Sequence, residues 1–184
     1  MTMDVAATTD PFSLLRDIEE SCRVCNTQDL RQTTEIFSEW SGIAFRMGGN
    51  NLLAPLDEVV EILDMPKLSR VPLAQPWVCG IANVRGNLLP VVDLSGLLGG
   101  EVANHTDKTR VLVIEYEGIY SGLVVDEVYG LKHFMEGELA GEAPEVDGSL
   151  LPYIRNVYRR DGRVWHEFSL FVLADTPQFL KTAV

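Results

Sequence analysis

From residue 40 onward, glycine and proline cut the chain into short apolar runs, and that punctuation points to strands rather than long helices. Ile43, Phe45 and Met47 alternate with Ala44 and Arg46, the period of a half-buried strand. Gly48-Gly49-Asn50-Asn51 then offers residues that tolerate positive φ, which predicts a hairpin returning at Leu52-Leu53. Asp57 is a candidate cap for a single helical turn before Val59-Val60-Glu61-Ile62, and Pro66, Pro72 and Pro76 break up the stretch beyond. The runs 110–116 and 119–125, joined by Glu117-Gly118, predict a second hairpin. Gly122 inside the returning run predicts a bulge or a close backbone approach. A loop is expected over 135–149 and a last hairpin over 157–172, around Asp161-Gly162. Many short strands with few helices indicate an antiparallel β-barrel or sandwich, with no internal repeat at a fixed period.

The start of the chain reads differently. Residues 1–9 are expected to be disordered. Asp10 caps and Pro11 opens a helix over roughly 11–25, whose apolar stripe is Phe12, Leu15, Ile18, Cys22 and Cys25. Cys22 and Cys25 form a CxxC, but no second CxxC or nearby histidine completes a metal site, so the helix stripe is the better reading. Cys79 reads as a further small buried hydrophobe. The expected organisation is a tail and amphipathic helix over 1–37, a main domain over 38–178, and a C-terminal tail over 179–184, with a short helix after Asp175-Thr176-Pro177.

A length of 184 residues suits one domain, or two closely packed lobes. The formal net charge of −12 repels phosphate, which argues against nucleic acid and anionic membrane as partners. No apolar run approaches the roughly 20 residues that span a bilayer. The opening MTMDVAATTDPF has neither the basic start nor the apolar core of a signal peptide, so a cytoplasmic location is expected.

Catalytic signals are weak. His105, His133 and His166 share no ligand spacing, and no metal or cofactor is expected. Ser95 lies in LSGLLG rather than a GxSxG elbow, and Ser121 has no local partner. The glycines at 96, 99 and 100 lack the Lys-Ser/Thr of a phosphate loop. The many carboxylates read as a solvated acidic surface.

The stretch GIANVRGNLLPVVDLSGLLGG, residues 80–100, is more informative. It sets one cation, Arg85, in apolar and glycine-rich surroundings, with one anion, Asp93, further on. A buried unpaired charge costs several kcal/mol, so Arg85 either has a partner or waits at a surface for one. That makes it a recognition candidate. A barrel can bind an α-helix in an apolar trough, with charges at the rim setting register.

Four ordered motifs carry a family resemblance. Gly80-Ile81-Ala82-Asn83-Val84-Arg85-Gly86 with Leu89-Pro90-Val91-Val92-Asp93-Leu94 resembles the signature of the CheW family of chemotaxis adaptors. Phe45 to Gly49 resembles its first hairpin, Val59-Val60-Glu61-Ile62 its V-x-E-I motif, and Gly122 to Val128, with Asp126, its G-x-x-V-D-x-V strand. The likeness covers roughly 38–178. The leading PFSLLRDIEESCR and the SGIAFRMGG opening narrow it to the adaptors of the pathway that controls type IV pili and twitching motility.

The resemblance implies a mostly β fold of two interlocked five-stranded SH3-like barrels with no enzymatic activity. It implies an adaptor that couples the cytoplasmic tip of a methyl-accepting chemoreceptor to the regulatory domain of a CheA-type histidine kinase, with membrane association only through the receptor. Arg85 falls at the receptor-contacting position. Asn83, Val84 and Gly86 shape the same site, and Glu61, Val59 and Ile62 flank the groove between barrels. Pro90, Asp93, Gly122 and Asp126 match motif positions for which structural roles are expected. Two features depart from the pattern: His166-Glu167 stands in the usually apolar last strand, and the leading helix is extra. Alternatives left open are a general flagellar-type coupling protein, a small-molecule-binding barrel, and an enzyme whose histidines and carboxylates converge in one cleft.

Overall fold

The computed structural model describes residues 39–102, 105–140 and 146–183, with Phe12 and Arg16, both in helical backbone. The other expectations for the leading segment, the Cys22–Cys25 stripe included, lie outside the described residues. The chain divides into two compact units, Met1–Phe37 and Ser38–Val184, and the sheets belong to the second.

Among the described residues, ten strands form two five-stranded sheets. They are β1 (Glu39–Met47), β2 (Asn50–Pro55), β3 (Glu61–Asp64), β4 (Val78–Val84), β5 (Asn87–Asp93), β6 (Arg110–Tyr116), β7 (Ile119–Val125), β8 (Glu127–Met135), β9 (Ile154–Arg160) and β10 (Arg163–Phe168). Short helices are α1 (Leu94–Leu97), α2 (Leu170–Ala174) and α3 (Pro177–Ala183). The strand orders are β8-β1-β2-β10-β9 and β3-β6-β7-β5-β4. The expected 157–172 hairpin ends earlier than predicted, because Ser169 caps α2 by accepting from the Val172 amide. Asp57 does not cap the expected turn: the 3-10 turn Leu56–Glu58 includes Asp57, has Pro55 at its cap position and has no side-chain cap. Helix α3 crosses the expected 178/179 boundary, and its Phe179 is fully buried.

The strand orders reveal a repeat that no sequence period announces. β1 to α1 and β6 to α2 each run hairpin, single strand, hairpin, short helix. Each repeat gives its first hairpin to the other. The β1–β2 hairpin lies between β8 and β10, antiparallel to the first and parallel to the second. The β6–β7 hairpin lies likewise between β3 and β5. The α1 and α2 caps match too: Asp93 accepts from the Gly96 amide as Ser169 does from Val172. Neither repeat can complete its sheet alone, which is the physical content of interlocked SH3-like barrels.

Each sheet curls until the segment after one edge strand meets the other edge. Ser69, beyond β3, exchanges both backbone hydrogen bonds with Ile81 of β4 at 2.9 Å. Leu139, beyond β8, bridges Tyr158 of β9, so the expected 135–149 loop is partly paired. Gly80 allows the first closure, since a Cβ there would stand 2.5 Å from the Ser69 carbonyl oxygen.

Both barrels are filled. Ala82, Leu89, Val91, Val111, Val113 and Val124 pack inside the β3–β7 barrel. Ala44, Leu53, Phe134, Tyr158 and Trp165 pack inside the other. The largest core lies between the sheets and draws on both, with Ile43, Phe45, Leu52, Leu112, Leu123, Phe168, Leu170 and Phe179 among its members. β1 is therefore buried on both faces, not half-buried as its alternation suggests: Phe45 faces the shared core and Ala44 the barrel.

Buried polar side chains interrupt this apolar interior, Glu58, His166 and Glu167 among them. Glu58, 2% exposed, accepts from the Ser169 hydroxyl at 2.9 Å, the Phe171 amide at 3.2 Å and the Leu170 amide, and pairs with Arg155 at 3.3 Å. It thereby ties the β2–β3 turn to the start of α2. His166 lies buried in β10, and among the described residues neither ring nitrogen has a hydrogen bond of normal geometry. Burial lowers its pKa, an effect partly offset by the Asn51 backbone. The neighbouring Glu167 sits at a register shift in the β9–β10 pairing and accepts from Asn156 at 2.8 Å and Tyr158 at 3.3 Å.

Glu58→Ala strands two amides and is expected to lower the unfolding free energy by roughly 3 kcal/mol in urea titration. Arg155→Ala removes only the half-exposed partner and is expected to lower it by under about 1 kcal/mol. Neutral His166 contributes its stability fully above the usual histidine pKa of about 6.5, and that contribution is lost as pH falls toward the lower folded-state value. Urea titrations from pH 7.5 downward should show wild type losing more stability than His166→Leu below about pH 6.5.

Candidate functional site

Arg85 and Gly86 are the two loop residues of the β4–β5 hairpin, between the paired Val84 and Asn87. Both have positive φ, 51° and 90°, the pattern of a type I′ turn. All four two-residue hairpins are built this way, with Gly48-Gly49, Glu117-Gly118 and Asp161-Gly162 in the others. Glycine, asparagine and aspartate favour the first of these positions; arginine does not. The left-handed conformation costs a side chain such as arginine about 1 kcal/mol. The turn was legible as Val-Arg-Gly-Asn, a signal overshadowed by the lone charge within it.

The guanidinium does not go inward. Its Nη2 donates to Glu61 Oε1 at 2.6 Å, while the Arg85 side chain stays 77% exposed and that of Glu61 24%. Glu61 opens β3, and β3 and β4 are opposite edges of one sheet. The ion pair therefore spans the seam where the barrel closes. An exposed pair contributes at most about 1 kcal/mol, so it orients the guanidinium more than it stabilises the fold. Among the described residues this is the one hydrogen bond Arg85 makes, which leaves most of its five donors turned to solvent.

Neighbouring candidates take distinct places. Asn83 Oδ1 accepts from the Gly86 amide at 2.9 Å and braces the turn. Val84 packs against the barrel interior and Val59 against the shared core. Glu61 is paired with Val113, a barrel-interior residue, and Ile62 with Leu112 of the shared core. Ile62 thus lies on the face turned toward the other sheet, yet is 39% exposed. Val60 and Leu56 are exposed beside it in sequence. On the other sheet's edge strand, exposed Leu131 pairs with core Ile43.

The remaining motif residues are architectural. Asp93 is buried and caps α1. Pro90 lies mid-strand, just before the pairing of β5 with β7 begins at Val91, and its carbonyl accepts from Ser121 at 3.2 Å. Gly122 marks a close approach and not a bulge: its pairing with Val113 is regular, and a Cβ would stand 2.7 Å from Val111 Cγ1. Asp126 accepts from the Gly48 amide at 3.0 Å and donates its own amide to the Arg46 carbonyl, holding the β1–β2 turn.

The three histidines do not share a cleft. His133 faces Ser41 across β8 and β1, with Nδ1 2.7 Å from the hydroxyl, and His166 lies within β10. His105, on the loop after α1, lies instead beside Cys79 and Asp93, a gathering that sequence spacing does not suggest. Burial pushes the Cys79 thiol up to about 11, and Asp93 adds to the shift. Trp40, Phe134 and Tyr158 of the second barrel line an open groove of about 230 Å³ together with Met135, Glu136, Leu139 and Asn156. The larger described groove, about 310 Å³, is open and lies between the β1–β2 turn, α1 and residues 147–150.

Residues 41–178 match the CheW-like domain. The chain is 42% identical over 174 residues to Protein PilI of Pseudomonas aeruginosa, covering 95% of this chain and 97% of that one. It is 30% identical over 132 residues to Chemotaxis protein CheW of Bacillus subtilis, covering 72% and 85%. The crystal structure of the scaffolding protein TtCheW from Thermoanaerobacter tengcongensis superposes with a TM-score of 0.63 at 19% identity, covering 76% of this chain and 94% of that one, a likeness of fold. Family match, sequence identity and the paired five-stranded sheets agree: the chain belongs to the CheW-like domain family.

Proposed function

We propose that this protein is a non-catalytic cytoplasmic adaptor that couples a methyl-accepting chemoreceptor to a CheA-type histidine kinase. Its pathway is the one that controls type IV pili and twitching motility. The 42% identity to Protein PilI over nearly the whole chain supports that pathway over a flagellar one. Among the described residues no helix is long and apolar enough to cross a membrane, in keeping with membrane association through the receptor.

The observation that carries the reading is the posture of Arg85. A residue poorly suited to a left-handed turn stands at the hairpin tip, braced by Asn83 and aimed by Glu61. What sets Arg85 apart from Glu117, which holds the same position in its own turn, is the ion pair to Glu61 across the barrel seam. Next along β3 from Glu61, Ile62 is exposed on the face turned toward the other sheet, and Val59, before the strand, packs against the shared core. An exposed guanidinium held by one end of β3, with an exposed apolar side chain on the same short strand, suits the helical tip of a receptor, read by apolar contact and fixed in register by charge. Asn83, Val84 and Gly86 hold the turn in shape for that contact.

Arg85→Asn separates binding from folding, because asparagine favours the turn. Its unfolding free energy is expected to match wild type within about 1 kcal/mol or to exceed it. Its affinity for a purified receptor cytoplasmic fragment is expected to fall at least tenfold, the loss of a hot-spot side chain. Undiminished binding would overturn the assignment of Arg85. Co-purification with the kinase of a flagellar pathway, and not with that of the pilus pathway, would overturn the pathway.

A further inference from the structure

Cys79, Asp93 and His105 converge at the base of the hairpin whose tip carries Arg85. Cys79 sits at a register shift near the start of β4, and Asp93 ends β5, where its amide donates to the carbonyl of Trp77, two residues before Cys79. His105 follows α1, so Asp93 and His105 bracket that helix in sequence. One potential ligand atom from each, a sulfur, a carboxylate oxygen and a ring nitrogen, lies within 4.8 Å of the other two. A point then exists within about 2.8 Å of all three, so drawing them to the 2.0–2.3 Å of zinc bonds requires movements of about 1 Å or less.

We propose that these three residues form a binding site for a borderline-soft divalent cation of the zinc class. The ligand set decides the class. Calcium and magnesium take oxygen ligands, whereas a thiolate and an imidazole beside one carboxylate suit zinc or cobalt. The site has a supporting shell, since Asp93 Oδ1 already accepts from the Gly96 amide at 2.7 Å, which orients the carboxylate. It also has an entry path: Asp93 is buried and Cys79 half-buried, but His105 is exposed. Three protein ligands leave a fourth position for water or for a side chain of a partner. Binding forms a sulfur–metal bond, breaks the Cys79 S–H bond and releases that proton to solvent. The bound ion would fasten the segment after α1 to the β4–β5 hairpin and stabilise the native state by mass action.

The test uses the full chain carrying Cys22→Ser and Cys25→Ser, stripped with chelator and titrated with Co²⁺ and then Zn²⁺. We expect one Co²⁺ per chain with a thiolate-to-cobalt charge-transfer band, displacement by Zn²⁺, and a higher Tm with either ion. Cys79→Ala should abolish the band. His105→Ala, an exposed change that leaves the core intact, should weaken binding at least tenfold, and His105→Cys should restore it with a stronger band. No charge-transfer band on the folded chain, or binding undiminished in Cys79→Ala or His105→Ala, would overturn the site.

Discussion

The chain passes from one sheet to the other through the turn at Leu56–Glu58, and the Glu58 carboxylate is what fixes that passage. It meets the first amides of α2, where a negative charge is favoured by the helix end, and it does so inside the apolar surroundings of the shared core. β3 begins three residues later. The place of Glu61, and so the aim of Arg85, follows from where Glu58 is held. Strand exchange adds to this constraint. Because each repeat completes the other's sheet, the two barrels cannot slide or part without breaking β-ladders and opening the largest core.

That rigidity lets a surface feature be specific. Four hairpins share one backbone solution, and three of them place a glycine or an acid at the first loop position. Glu117 is as poorly suited to its turn as Arg85, so conformation alone does not single out the arginine. The pin across the barrel seam does. Glu61 and Ile62 alternate on a short edge strand, one toward the barrel mouth and one toward the other sheet. A charged anchor and an apolar flank are thus set by a single strand's pleat.

Local signals in the sequence were legible. The alternation at Ile43–Met47 and the pairs Glu117-Gly118 and Asp161-Gly162 predicted strands and turns that the structure contains. What could not be read is non-local. No window of sequence says that the β1–β2 hairpin sits between two strands that come some 80 to 115 residues later. Glu58 looked like one more surface acid, because its amide partners lie more than 110 residues away. His105 looked isolated for the same reason. A structural role was expected for Asp93 from its motif, but its cap of α1 was not read, although the Gly96 amide it accepts from lies only three residues on. The last strand was the ambiguous case: His166-Glu167 is polar and yet buried, and the register does shift there.

We propose that the β4–β5 turn and β3 together form the docking surface for a receptor tip. The most direct measurement is an amide chemical-shift map of the full chain as a receptor-tip fragment is titrated in. Perturbations are expected to centre on Asn83 to Gly86 and Val59 to Ile62, and to fade toward the β9–β10 turn at Asp161-Gly162. Saturable binding with its largest perturbations at that distant turn, and none around Arg85, would contradict it.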